Sequence, residues 1–189
     1  MFFIGLDLGQ RRDYTAVAVV EREERDWVAG PELKLRHLER MPLGTAYTKV
    51  VERICQTMRH PAIVGRSRLV VDATGVGAPV VDMLRSAGLS ATLTAVTITG
   101  AERARGYGER WQVPRKDLLA GLEVLLETGQ LKISRKLAEA ERLARELTAI
   151  RIGGGESGEH DDLAMAAGLA CWRARRGRSG FGTARLPGI

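Results

Sequence analysis

Residues 2–9, FFIGLDLG, form an apolar stretch that is interrupted by one carboxylate, Asp7. Aromatic and β-branched residues bounded by glycine predict a buried strand rather than a helix at this length. Desolvating an unpaired carboxylate is costly, so a basic side chain or a metal ion must compensate Asp7. The other acidic residues of the chain favour a metal ion.

The rest of the chain predicts an α/β domain with a mixed β-sheet. Residues 13–23 and 33–41 are predicted strands, and a turn at residues 10–12 would join the first two strands into a hairpin. Apolar residues at helical spacing predict helices at residues 44–60, 80–86, 114–127, 136–147 and 160–175. Further strands are predicted at residues 68–72, 91–99, 131–133 and 148–152, with a loop at 100–111 and a turn at 153–155. We therefore expect three antiparallel strands followed by parallel ones, flanking helices, and a site at the ends of the central strands.

Composition limits the domain organisation and the class of partner. A chain of 189 residues is long enough for one domain, which we place at residues 1–176, before a basic glycine-rich tail at 177–189 that we expect to be disordered. The net charge of +6 and the pI near 9.8 fit a polyanionic partner. Two isolated cysteines, Cys55 and Cys171, indicate neither a disulfide framework nor a zinc site. No basic leader and no apolar run of ~18 residues is present, so we expect an intracellular protein without a membrane segment.

Acidic residues stand at two further places that belong to the core. Asp72 ends the strand at 68–72, and Asp161 and Asp162 open the last helix. If the first and fourth strands are neighbours, Asp7 and Asp72 lie side by side, and the last helix brings Asp161 or Asp162 to them. Like charges this close require protonation or a bound cation. Oxygen ligands favour Mg²⁺ or Mn²⁺, and two such ions ~3.5–4 Å apart suit in-line displacement at phosphorus.

Each of these acids except Asp7 also has a local explanation. Asp72 would start the turn that follows its strand. Asp161 would cap the last helix, and Asp162 would interact favourably with the helix dipole. No local turn or cap explains a carboxylate within the first strand. The occurrence of Asp7, Asp72 and the pair Asp161–Asp162 in core elements of one chain therefore supports a metal site.

Several stretches of the sequence resemble one protein family. They are GLDLG at residues 5–9 with DYTA at 13–16, VVDATGVG at 70–77, KDLLAGLEVLLETGQLKI at 116–133 and HDDLAMA at 160–166. Together they resemble the nuclease domain of phage terminase large subunits, which has a ribonuclease H-like fold, over residues 2–172. The HDD segment, after two strand acids, is the most specific part of this resemblance.

The resemblance implies a metal-dependent endonuclease that cleaves double-stranded DNA with two Mg²⁺ or Mn²⁺ ions and leaves a 3′-hydroxyl. It implies that Asp7, Asp72 and Asp162 hold the metals and that Asp161 is an extra or alternative ligand. Asp13, near the hairpin, is expected to support the site without contacting metal. For His160, orienting a carboxylate, approaching the substrate and capping the last helix all stay open.

The resemblance also implies partners. These are double-stranded DNA and the terminase ATPase motor, small terminase subunit and portal, in the cytoplasm of a bacterial host that carries the phage or prophage. The sequence lacks the GxxxxGK[ST] phosphate loop of such a motor. We therefore expect that this chain does not package DNA alone.

Basic residues before and within the helix at 114–127 are the candidate DNA contacts. They are Arg103, Arg105, Arg110, Arg115 and Lys116. Tyr107 and Trp111 interleave with them, and the positive charges would neutralise phosphates and make binding salt-sensitive. The alternative is a solvated loop from which Trp111 returns to the core.

Three other functions compete with this hypothesis. A Holliday-junction resolvase of the same fold would need the same acids and differ in substrate. In an actin-like ATPase or sugar kinase, residues 5–9 and 72–77 would be phosphate loops, but that fold generally needs two such domains. A DNA-binding or assembly module that has lost catalysis is the non-enzymatic alternative.

Overall fold

The computed structural model describes residues 1–9, 13–24, 30–75, 77–89, 91–152 and 160–176. Eight strands form one sheet: β1 (Phe2–Asp7), β2 (Ala16–Glu23), β3 (Glu32–Arg40), β4 (Ser67–Asp72), β5 (Thr92–Thr99), β6 (Arg105–Tyr107), β7 (Arg110–Pro114) and β8 (Leu131–Ile133). The helices of these residues are α1 (Tyr47–Met58), α2 (Gly77–Ser86), α3 (Arg115–Glu127), α4 (Ala140–Ile152) and α5 (Asp162–Arg175). The predicted turns at 10–12 and 153–155 and the tail at 177–189 lie outside the described residues.

The strands are ordered β6-β7-β5-β4-β1-β2-β3-β8 across the sheet. β2 runs antiparallel to both β1 and β3, whereas β1 with β4, β4 with β5 and β5 with β7 are parallel pairs. The predicted mixed sheet is therefore confirmed. Because Leu6 of β1 is paired with Val71 of β4, the carboxyl ends of these two central strands meet at one edge.

Helices cover both faces of the sheet. One face packs on α3, α4 and α5 through residues such as Phe3, Ala18 and Leu35, and the other packs on α1 and α2 through Ile4 and Leu69. Successive side chains of a strand alternate between faces. Asp7 and Asp72 consequently lie on the α5 side of the sheet, in line with Phe3 and with Val70, which packs beside α5.

Gly5 sets how closely α5 approaches β1. A Cβ atom at Gly5 would lie 2.0 Å from the carbonyl oxygen of Ala166 and 2.9 Å from the amide nitrogen of Ala170. Only glycine leaves room for this approach of backbone to backbone. The contact holds α5 against β1, so the first turn of α5 lies near the carboxyl end of β1.

The predicted loop at residues 100–111 is wrong in part. Residues Arg105–Tyr107 and Arg110–Pro114 form a hairpin that turns at Gly108, whose φ is +59°, and β7 pairs with β5. The glycines that suggested a loop instead allow the tight turn. Trp111 packs on the edge of Trp172 with ring centres 5.5 Å apart, so this residue returns towards the core as the alternative interpretation had it.

The predicted strand at residues 148–152 is wrong, because α4 continues through these residues. Thr148 donates its hydroxyl to the carbonyl oxygen of Ala144, a bond that occurs inside helices. The β-branched residues suggested a strand, but tertiary context overrides such local propensity. The predicted helix at 136–147 begins later than expected, at Ala140, and the short strand at 131–133 is confirmed as β8.

Within the described ranges, no helix combines the length and apolar character that crossing a membrane requires.

Candidate active site

Asp7 and Asp72 lie side by side where β1 and β4 end. The pKa of Asp7 is raised well above its usual value, first by burial and then by the negative charges of Asp72, Asp162 and Asp161. A hydrogen bond between the Asp7 and Asp72 carboxyl groups raises it further. Four acidic side chains therefore influence one another at this edge of the sheet, as the sequence suggested.

Asp72 also has the local turn role that the sequence allowed. Its Oδ1 atom accepts a hydrogen bond of 2.8 Å from the amide of Thr74. Burial raises the pKa of Asp72, and the bonds from Thr74 and Asp7 oppose this rise. The turn fixes the side chain in place without removing it from Asp7, so the two explanations of this residue are compatible.

Asp162 opens α5 and is 4% exposed. Its Oδ2 atom accepts a hydrogen bond of 3.0 Å from Nη2 of Arg40, the last residue of β3. Burial raises the pKa of Asp162, whereas the charges of Arg40 and His160 lower it. The guanidinium of Arg40 also lies over the ring of Tyr14, 3.5 Å from its centre, in a cation–π contact.

Asp161 precedes α5, but its side chain does not cap the helix. Its carboxylate instead forms an ion pair with Arg115, the first residue of α3. Asp161 therefore occupies the expected N-cap position, but its side chain makes no capping hydrogen bond. Arg115, which the sequence placed among the DNA contacts, lies in the candidate site itself.

Glu146 of α4 takes over the bond that a capping side chain would make. It is 6% exposed, and its Oε2 atom accepts a hydrogen bond of 2.9 Å from the amide of Ala164 in the first turn of α5. Burial is the largest cause that raises its pKa to about 7, and the charges of Asp162 and Asp161 add to this. Glu146 thus connects α4 to the start of the helix that carries two of the acids.

His160 and Asp13 lie at the border of the acidic group. Nδ1 of His160 is 3.8 Å from an Asp13 oxygen and 4.0 Å from Oδ2 of Asp162, and its ring meets Tyr14 edge-on. His160 precedes α5 rather than lying in its first turn. This position is suited to orienting Asp162, and both residues remain predicted supporting groups.

The chemistry of these side chains fits a hard divalent cation, whereas their arrangement is only partly that of a metal site. Asp7 and Asp72 offer adjacent carboxylate oxygens, which Mg²⁺ and Mn²⁺ prefer. Asp161 and Asp162 are bonded to Arg115 and to Arg40, respectively. Accordingly, no three acidic, histidine or cysteine side chains among the residues described already stand in metal-ligand geometry.

Sequence reasoning missed Arg40 and Glu146. Leu38 of β3 faces the core beneath α5, and Arg40, two residues later, continues the same face with only 10% of its side chain exposed. An arginine at an inward position of a strand implies a buried carboxylate partner. Alternation from Leu33 and Leu35 would have placed Arg40 outward, because a register shift in the β2–β3 pairing changes which residues of β3 face inward. One glutamate in the amphipathic pattern of α4 was no signal either.

The remaining predicted DNA contacts are at the surface. Arg103, Arg105, Arg110 and Lys116 are exposed, and the first three lie in or next to the β6–β7 hairpin. Tyr107 at the hairpin tip is 94% exposed. These side chains are therefore accessible to solvent, and their role as DNA contacts stays a prediction.

The fold was compared with solved structures. The large terminase nuclease from thermophilic phage G20c, with bound magnesium, matches with a TM-score of 0.59 and 21% identity over 92% of this chain and 81% of that one. The human cytomegalovirus terminase nuclease domain, soaked with manganese, matches with a TM-score of 0.53 and 19% identity over 90% of this chain and 81% of that one. The chain has the fold of a terminase nuclease domain.

This terminase-nuclease fold is ribonuclease H-like, as the sequence predicted. Thermus thermophilus RuvC shares it with a TM-score of 0.50 and 14% identity over 94% of this chain and 98% of that one. No protein-family model and no curated protein matches the sequence. Identities this low establish the fold, and function must be argued from the site.

Proposed function

We propose that this protein is a metal-dependent endonuclease that cleaves double-stranded DNA, as a terminase nuclease does. The observation that supports it most is the adjacency of Asp7 and Asp72 at the ends of two parallel strands, with Asp161 and Asp162 delivered by α5. Mutually repelling, desolvated carboxylates are costly unless a cation joins them. A terminase-nuclease fold with such a group at its edge supports phosphodiester hydrolysis.

In this proposal, Asp7, Asp72 and Asp162 hold two Mg²⁺ or Mn²⁺ ions, and Asp161 is the additional ligand. Divalent cations supply charge that activates water and stabilises the phosphate oxygens during in-line displacement. Arg40 orients Asp162, and Glu146 holds the first turn of α5 through the amide of Ala164. His160 and Asp13 support the site from its border.

An exposed basic surface supports DNA as the substrate. Arg103, Arg105 and Arg110 of the β6–β7 hairpin region are exposed beside the exposed ring of Tyr107, and Lys116 follows at the start of α3. Arginine and lysine bind phosphate oxygens, and an exposed aromatic ring offers a stacking surface for bases. We propose these residues as DNA contacts and a terminase ATPase motor, small subunit and portal as partners.

The test is cleavage of supercoiled plasmid by the purified protein with Mg²⁺ or Mn²⁺, with and without EDTA. We expect nicking or linearisation that requires the metal. Asp7→Asn removes a carboxylate of the site and keeps its shape, so it should reduce cleavage at least about 100-fold. Asp82→Asn is the matched control, because Asp82 is an exposed acid on α2 with 78% of its side chain accessible.

Cleavage that persists in EDTA, or that Asp7→Asn leaves intact, would contradict the proposal. Thermal melting of each variant shows whether a loss of cleavage reflects unfolding. A resolvase would use the same acids, so a four-way junction is offered in competition with linear duplex. Preference for the junction would favour the resolvase alternative over the terminase type.

A further inference from the structure

Strands β5, β7 and β6 leave one of their two faces open. On the α5 side, Val96 and Trp111 pack with Trp172 of α5. Because successive side chains of a strand alternate between faces, Thr97 of β5 and Gln112 of β7 point to the α2 side. Both of these polar side chains are exposed. The sheet surface beside α2 is therefore accessible to solvent, whereas the surface beneath α5 is closed.

This open face is the floor of a groove of about 530 Å³, called the hairpin–α2 groove below. Val81 of α2 lines one of its sides, and the β6–β7 hairpin lines the other. Within the hairpin, Arg105 is paired with Gln112 and Tyr107 with Arg110. Side chains of directly paired residues share a face of the sheet. The hairpin therefore directs Arg105, Tyr107 and Arg110 to the α2 side, together with Gln112.

Arginines line the hairpin–α2 groove from both sides. Arg105 and Arg110 lie on the hairpin side and Arg85 on the α2 side, and all three are exposed. Within the described ranges, neither Arg105 nor Arg110 has a carboxylate oxygen within 4.0 Å. Arg85 lies 3.6 Å from Asp82, but Asp82 is 78% exposed, so solvent screens this pair strongly. The groove thus carries an excess of positive charge.

The groove opens at the edge of the sheet where the candidate active site lies. Ala73, which follows Asp72 directly, lines the groove at the end of β4. Val71 of β4 pairs with Ala95 of β5, and Ala95 pairs with Arg110 of β7. Two strand spacings, ~10 Å, therefore separate Arg110 from β4 across the sheet. The Asp72 carboxyl group is on the α5 side and the groove on the α2 side, so the two meet at the carboxyl edge of β4.

We propose that the hairpin–α2 groove binds the phosphodiester backbone of DNA that lies across the carboxyl edge of the sheet, with Arg85, Arg105 and Arg110 as the phosphate contacts. This inference rests on the proposed function. It adds Arg85, which sequence reasoning did not single out, and it assigns Arg105 and Arg110 to the α2 side of the molecule. Arginine donates N–H bonds to phosphate oxygens, and the charge of the groove complements a polyanion.

The polar floor of the groove favours a DNA backbone over an acidic protein segment. Thr97 offers a hydroxyl group and Gln112 an amide, and both groups donate hydrogen bonds to phosphate oxygens. The centre of a protein interface is more apolar and poorer in charge than its rim. In this groove, exposed polar side chains lie between the arginines instead, as phosphate binding requires.

The first test measures DNA binding apart from cleavage. The Asp7→Asn protein without divalent cations is titrated into a fluorescein-labelled duplex, and anisotropy gives the affinity at several salt concentrations. Replacing Arg85, Arg105 and Arg110 together by glutamine should weaken binding at least about tenfold at low salt. The slope of log K against log salt should become less steep by about 2 to 3, because each phosphate contact contributes about 0.9 to it.

A control with equal loss of charge separates the groove from net charge. Lys132, Arg135 and Lys136 are exposed residues in or just after β8, which is at the opposite edge of the sheet from β6. Their triple glutamine variant should bind within about twofold of the parent protein. Equal weakening in both triple variants, or none in the groove variant, would overturn the inference. Plasmid cleavage by the wild type decides the nuclease proposal separately.

The second test locates the DNA directly. Cys55 and Cys171 are buried, so a cysteine introduced at an exposed position is labelled selectively with a photoactivatable azide. After irradiation with labelled duplex, the Thr97→Cys protein should form crosslinked DNA, because Thr97 lies on the floor of the groove. The Lys132→Cys protein, labelled at the opposite edge of the sheet, should give only background. Equal yields at the two positions, or crosslinking at Lys132→Cys alone, would show that DNA does not occupy the groove.

Discussion

Nη2 of Arg40 lies 3.0 Å from Oδ2 of Asp162, and the two side chains are only 10% and 6% exposed. The pair joins the end of β3 to the first turn of α5, residues that are 122 apart in sequence. The net contribution of a partly desolvated ion pair to the free energy of unfolding is small, because desolvating the two charges offsets their attraction. The main effect of such a pair is to hold its two side chains in one arrangement. The pair fixes the orientation of the Asp162 carboxylate relative to Asp7, Asp72 and Asp161.

Removing Arg40 should therefore destabilise the protein strongly. In Arg40→Gln the buried Asp162 carboxylate loses its cation, and the free energy of unfolding should fall by about 3 kcal/mol. Adding Asp162→Asn should recover a large part of this loss, because no uncompensated charge then remains. Urea unfolding of the four proteins of this double-mutant cycle gives the coupling energy.

An exposed pair provides the comparison for that cycle. Lys49 and Glu52 on α1 are 2.7 Å apart, with 71% and 53% of their side chains exposed. The coupling energy of this pair should be below about 0.5 kcal/mol. Coupling between Arg40 and Asp162 as small as that value would show that their contact does not position α5.

Glu146 should make stability depend on pH near neutrality. Its folded-state pKa is about 7, raised from an ordinary value of 4.5. The stability that its protonated form contributes is fully present below pH 4.5 and is lost as the pH rises through about 7. Glu146→Gln should remove this dependence, worth about 3–4 kcal/mol at about 1.4 kcal/mol per pKa unit.

The measurement is urea unfolding of both proteins across this pH range. The pKa values of Asp7, Asp72 and Asp162 are raised as well, so the difference between wild type and variant isolates the contribution of Glu146. Glu141→Gln, an exposed position on the same helix, should leave the wild-type pH profile unchanged. Parallel curves for wild type and Glu146→Gln would contradict the prediction.

Gly5→Ala should be poorly tolerated. The added Cβ would lie 2.0 Å from the carbonyl oxygen of Ala166, so α5 must move away from β1. Overpacking against backbone should cost about 3 kcal/mol or more, and DNA cleavage should fall as Asp162 leaves its place. Gly100→Ala is the control, because nothing lies within 4 Å of its Cβ, and it should change stability by less than about 0.5 kcal/mol.

Asp7→Asn should separate stability from activity. Burial and the neighbouring acids raise the pKa of Asp7, so its ionised form destabilises the metal-free fold. Replacing it with a neutral side chain of the same shape should raise the melting temperature in EDTA at pH 8 while removing cleavage. A lower melting temperature than wild type would show that the Asp7 charge is already compensated within the protein.

The elements that came out of the sequence correctly are those with a strong local pattern. The apolar run ending at Asp7, the strand ending at Asp72 and the helix opening at Asp162 were found because most residues of each are buried, which leaves an apolar run next to an acid. The hairpin at Arg105–Pro114 was missed because glycine and charge mark loops and tight turns alike. The far end of α4 was misassigned because packing decided between helix and strand there.

The sequence by itself determined which carboxylates stand at the ends of core elements, because an acidic residue next to an apolar run can be recognised from the order of residues alone. Only the tertiary structure decided what those carboxylates bond to. The pairs Arg40–Asp162 and Arg115–Asp161, and the bond from Ala164 to Glu146, join residues far apart in the chain. Such contacts depend on the register of β1 against β4 and on the close approach of α5 at Gly5, which no local period encodes.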